Sequence, residues 1–73
     1  MKLNLLSCNQ DRPDRRAIAR TIEDIADGID HNIANELTDI LINGSPVDIE
    51  VSFNTSSAFR TLRKLGIDYE IID

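Results

Sequence analysis

Two stretches near the end of the chain alternate between apolar and polar side chains. Val47 to Phe53 reads V-D-I-E-V-S-F, and Ile67 to Ile71 reads I-D-Y-E-I. Strict alternation sends successive side chains to opposite faces of a strand. The pattern predicts two strands with Val47, Ile49, Val51, Phe53, Ile67, Tyr69 and Ile71 facing a core, and Asp48, Glu50, Asp68 and Glu70 facing water. Between them, Thr55 to Leu65 is amphipathic, with Ala58, Phe59, Leu62 and Leu65 inward. Asn54 or Thr55 can cap that helix, and Gly66 can close it. Met1 to Cys8 predicts a first strand, with Leu3 and Leu5 on one face and Lys2, Asn4 and Leu6 on the other.

The middle of the chain changes period. Ile18, Ile22, Ile25 and Ile29 recur at spacings of four, three and four, which is one helical stripe. Asp11 is a candidate cap, with Pro13 in the first turn and Asp14 three residues after Asp11, as in a capping box. Gly28 is a candidate stop. A second helix is predicted from Asp30, with Ile33, Leu37, Ile40 and Leu41 as its stripe and Asn43-Gly44 as its end.

The order is therefore β-α-α-β-α-β, an α/β chain of the two-layer α+β kind. One domain is expected, spanning residues 1–73, with three helices on one face of a three-stranded sheet. A right-handed crossover through the last helix makes the second and third strands parallel. The first strand is expected between them, antiparallel to both, which sets Lys2 among its neighbours' carboxylates. Ile18, Ile22, Ile25, Leu37, Leu41, Ile49, Val51, Phe59, Leu62 and Tyr69 are expected to be mostly buried.

Composition narrows the chemistry. The chain has 73 residues and a formal net charge of −5. Nucleic-acid binding draws on positive charge to release counterions, so direct binding of that kind is not expected. The longest apolar runs fall far short of the ~20 residues a membrane span needs, so no membrane partner is expected either. One cysteine and no secretory signal suit a reducing cytoplasm. Cys8 has no CxxC partner and is expected to pack at a strand end as a small hydrophobe. His31 is expected on the solvated surface. Ser56 and Ser57 lie where hydroxyls satisfy free helical N–H groups. With no nucleophile–base pair, phosphate loop or metal-spaced cluster in the sequence, neither an enzyme nor a cofactor is expected.

Two charged features remain. Asp48, Glu50, Asp68 and Glu70 could serve as a cation site, as paired acids for glycoside chemistry, or as a docking surface for a basic partner. Glycoside chemistry needs carboxyls flanking a cleft, and a flat three-stranded face offers none. On the first helix, Arg12, Arg15 and Arg16 gather at the start, and Glu23, Asp24 and Asp27 at the end. The helix dipole prefers the reverse. Arg12, Arg16 and Arg20 fall on one outward line, and Arg20 can pair with Glu23 or Asp24. A local rule broken without structural gain points to function. Arg60, Arg63 and Lys64 end the third helix in agreement with its dipole.

Arg15 to Ile22, Ile33 to Asp39 and Arg63 to Ile71, taken in order, resemble the C-terminal domain of the bacterial ribosomal stalk protein. The first string is similar to the basic, alanine-and-aliphatic start of that domain's first helix. The second is similar to its second helix, and the third to its closing helix–glycine–strand. That domain contacts translational GTPases through its first two helices, and the resemblance puts Arg15 and Arg20 near basic positions of that surface. The chain departs from the family at Asn32 and Asn35, where the family has lysines, and in its single glycine between the helices. The family's dimerisation region and hinge have no counterpart in the sequence, so a free-standing relative or a fold analogue is expected. The protease adaptor that reads N-terminal degrons shares this general fold. Asn9-Gln10-Asp11 is loosely similar to its amine-binding loop, but its ligand-binding histidine position falls near Ile42.

These features lead to two expectations. The first is a module that binds another protein through Arg12, Arg15, Arg16 and Arg20, with a translation-related partner implied by the resemblance. The second is an acidic inhibitor or decoy that meets a basic, nucleic-acid-binding protein through Asp48, Glu50, Asp68 and Glu70.

Overall fold

The computed structural model describes residues 1–52 and 55–72, without the Thr55 side chain. The expected cap at Asn54 or Thr55, and the inward placement of Phe53, lie outside the described residues. The elements run β1 (Lys2–Cys8), α1 (Arg15–Ile25), α2 (His31–Ile42), β2 (Val47–Glu50), α3 (Thr55–Lys64) and β3 (Ile67–Ile72). The sheet order is β2-β1-β3, and β1 is antiparallel to both neighbours. The strand phase is as the alternation predicts. Leu3, Leu5, Val47, Ile49 and Ile67 are buried under the helices, while Asp48, Glu50, Asp68 and Glu70 are exposed.

One irregularity adjusts the phase of β1. Leu5 pairs with Tyr69 but Ser7 pairs with Asp68, so Leu6 is an extra residue. Such a bulge leaves one side chain out of the ladder. Leu6 is accordingly exposed, and Cys8 turns to the core side opposite Ile67. There it packs against the core, with Sγ 3.6 Å from the Leu65 carbonyl oxygen.

The helix ends follow local chemistry. The α1 cap is Asp14 rather than Asp11: its carboxylate accepts from the Ala17 N–H at 3.1 Å. Helical geometry therefore begins at Arg15, and α1 stops at Ile25, leaving Asp27 and Gly28 in the connection. Asp30 caps α2, accepting from the Ile33 N–H at 2.9 Å. At the other end, Gly44 donates to Leu41 and Ser45 to Ile40, the paired bonds that close a helix through a left-handed residue. Gly66 closes α3 with φ at 73°, and a Cβ there would collide with the Gln10 side chain.

The core joins both layers through Leu3, Leu5, Ile18, Ile22, Leu41, Val51 and Leu62, each almost wholly buried. The expected stripe of α2 is displaced. Ala34, Thr38 and Leu41 are buried, whereas Ile33 and Ile40 are 41% and 43% exposed. The buried line is the expected one turned by one residue, about 100° around the helix. Small side chains at Ala34 and Thr38 allow a close approach, and the Thr38 hydroxyl is satisfied by donating to the Ala34 carbonyl at 2.7 Å. Ile25, Leu37, Phe59 and Tyr69 are half-buried against the core, not enclosed. Ile71 shares the core face but is 51% exposed, because its strand is an edge with a neighbour on one side only.

Candidate protein-binding surfaces

The two capped helices, α1 and α2, pack side by side and leave an open groove along their junction. Asp14 fixes the start of α1, so Arg15 and Arg16 occupy its first turn and Arg20 follows one turn later. All three line the groove with Ala19 and Glu23 of α1 and with His31 and Asn35 of α2. Arg16 and Arg20 also border a second indentation beside Asp14 and Asp24, so they form a ridge between two hollows. Arg12 lies in the bend before α1, outside the groove lining. The predicted line through Arg12 fails because residue 12 precedes the cap and has no helical geometry.

Charges within the groove are unevenly matched. Arg15 reaches across to Asp39 of α2 and forms an ion pair. Arg16 and Arg20 form no ion pair among the described residues. The expected Arg20 pairing with Glu23 or Asp24 is not made. Glu23 instead meets His31 Nδ1 at 3.3 Å, and Asn35 Nδ2 lies 3.2 Å from His31 Nε2. A carboxylate can only accept, so in the neutral ring this geometry has Nδ1 donating to Glu23 and leaves Nε2 to accept from the Asn35 amide. His31 is a surface residue, as expected, but it also links the floor of the groove across two helices. The sequence marked Glu23 only as a partner for Arg20 and Asn35 only as a departure from the stalk family, not as partners of His31. The i, i+4 spacing of His31 and Asn35 was the available signal; the Glu23 contact has none, because it joins two elements.

The outer face of the sheet carries the second set. Asp48 and Glu70 flank Asn4 of the central strand, and Glu50 stands opposite Lys2. The Asn4 amide, with its nitrogen towards β2, donates to Asp48 Oδ1 at 3.0 Å. The Asn9 amide donates to Asp68, and the Met1 ammonium lies 3.9 Å from Glu50. No helix among the described residues covers these carboxylates, and all four are exposed. Among the described residues, no three of His, Cys, Asp and Glu come together to hold a metal ion. Ser56 and Ser57 are exposed on α3, well apart in sequence from His31. No helix among the described residues is long and apolar enough to cross a membrane.

No protein-family model matches the chain, and no curated protein or solved structure matches it.

Proposed function

We propose that this protein is a small non-enzymatic binding module that grips an acidic surface of another protein in the α1–α2 groove. The observation that carries this reading is the convergence of Arg15, Arg16 and Arg20 on one groove, with Arg16 and Arg20 unpaired among the described residues. A guanidinium binds a carboxylate through a planar fork of donors, so two such groups one turn apart suit a pair of acidic side chains. Arg15 is already matched by Asp39 and would fix the rim of the groove. Arg12, in the preceding bend, would add only long-range attraction. The stalk-domain resemblance rests on the sequence strings alone and suggests a translational GTPase as the partner class to try first.

A glutamate-rich peptide titrated into the protein tests this reading. Binding should weaken as salt rises, because attraction between exposed charges is screened. Arg16→Glu with Arg20→Glu should weaken it about tenfold or more, through the loss of exposed pairs and the added repulsion. Equal affinity for the wild type and the double variant would remove the groove as the site.

A second reading is favoured by the four uncovered carboxylates of the outer sheet face. There the protein acts as an acidic inhibitor or decoy for a basic partner. Asp48→Lys with Glu50→Lys would then abolish binding, and the arginine reversals would leave it unchanged.

A further inference from the structure

The sheet has two edges, and they differ. Met1 and Val51 exchange reciprocal backbone bonds of 3.0 and 2.8 Å, so they form a hydrogen-bonded pair. In an antiparallel ladder such pairs recur every second residue. Leu3 and Leu5 therefore direct their N–H and C=O groups to β2, and Lys2 and Asn4 direct theirs to β3. By the same alternation, Asp48 and Glu50 point their backbone groups away from the sheet on the β2 side. On the β3 side, Tyr69 and Ile71 do so.

The β2 edge is short and partly occupied. It follows Pro46, and the Glu50 carbonyl accepts from the Asp27 N–H at 2.7 Å. The β3 edge is longer, and the outward groups of Tyr69 and Ile71 receive no hydrogen bond from the described residues. Beside them, on the helix side, Ile71 is 51% exposed and Tyr69 stacks on Phe59 at 5.0 Å, both rings only half-buried. On the other side of the same strand, Asp68 and Glu70 are exposed at alternate positions.

We infer that the β3 edge accepts an extended segment of another protein in which apolar and basic residues alternate. Main-chain bonds to Tyr69 and Ile71 supply affinity, and alternate side chains supply specificity, as in strand addition generally. The apolar residues of the segment cover Ile71 and extend the Phe59–Tyr69 stack. Its basic residues lie opposite Asp68 and Glu70. A second copy of this chain does not fit. The two antiparallel self-pairings that use both outward residues place Asp68 opposite Glu70, or Glu70 opposite itself, and like charges facing across strands are destabilising. This inference is independent of the α1–α2 groove. It uses two of the sheet-face carboxylates but places the contact at the edge.

The probe is a short peptide alternating valine with lysine, added to the isotope-labelled protein, with amide hydrogen exchange as the readout. The Tyr69 and Ile71 amides should exchange about tenfold more slowly, as one added hydrogen bond of ordinary strength requires. The matching valine–glutamate peptide should give no protection. Ile71→Pro removes an outward donor and obstructs the edge while sparing the ladder to β1, since proline is tolerated on edge strands. It should abolish the protection of Tyr69 while the circular dichroism spectrum is kept. Unchanged binding by folded Ile71→Pro would overturn the edge and leave binding to the sheet face standing. Slow exchange of Tyr69 and Ile71 without peptide, rising with protein concentration, would also overturn it by making a second copy the occupant.

Discussion

The groove between α1 and α2 and the outer face of the sheet lie on opposite sides of one small core, and they carry charge in different ways. On the sheet the pleat spaces Asp48, Glu50, Asp68 and Glu70 regularly, and all four are exposed. Such a surface offers charge without shape. In the groove, two helices set three arginines against Glu23, His31 and Asn35, and one arginine is already spent on Asp39. That surface offers charge within a contour. The net charge of −5 describes neither side, because it averages a basic hollow with an acidic plane. A contour can select among partners, which is why the proposed function is placed on the groove. The plane suits any complementary charge, and only its β3 edge adds direction.

Both surfaces ride on the same core, so a core substitution should disturb them together. Leu62→Ala removes an almost wholly buried side chain from α3 and should cost about 2–5 kcal/mol in chemical denaturation. A domain of this size holds few kcal/mol in reserve, so both surfaces should be lost together. Phe59→Ala should cost less than Leu62→Ala, because Phe59 is only half-buried. Loss of one surface with retention of the other would show that the layers fold separately.

Helix caps allow the comparison to be sharpened on one side alone. Asp14→Ala removes the acceptor for Ala17 and should cost about 1 kcal/mol, measured by thermal or denaturant unfolding. It should also loosen Arg15 and Arg16, so affinity for the glutamate-rich peptide should fall while binding of the valine–lysine peptide holds. Asp11→Ala should change stability little, since Asp11 caps nothing. The smallest effect belongs to Asp39→Ala. An exposed ion pair contributes at most about 1 kcal/mol, so stability should barely change. The released Arg15 should then strengthen binding of the acidic peptide in a titration.

What the sequence allowed to be read follows from how each feature is encoded. The strands were legible because alternation is local: Val47, Ile49 and Ile67 are inward and Asp48, Glu50 and Asp68 outward. The parallel run of β2 and β3 followed from connection rules, and the central place of β1 from the match of Lys2 to its neighbours' carboxylates. The phase of α2 was not legible, because large aliphatic residues mark Ile33 and Ile40 while close packing selected Ala34 and Thr38. The bulge at Leu6 leaves no signal in the sequence, since it exists only relative to β3. At the candidate site, the inverted charge order of α1 marked Arg15, Arg16 and Arg20. It also drew in Arg12, which shifts out once Asp14 becomes the cap. The Arg15–Asp39 and Glu23–His31 contacts join two helices and could be seen only after folding.

Docking of acidic partners in the α1–α2 groove can be read residue by residue by mapping backbone amide shifts while a glutamate-rich peptide is titrated in. The account predicts shifts concentrated from Arg15 to Glu23 and from His31 to Asn35, little change along the strands, and their disappearance in Arg16→Glu with Arg20→Glu. Shifts that stay in the double variant, or that centre on the α3 cations Arg60, Arg63 and Lys64, would contradict it.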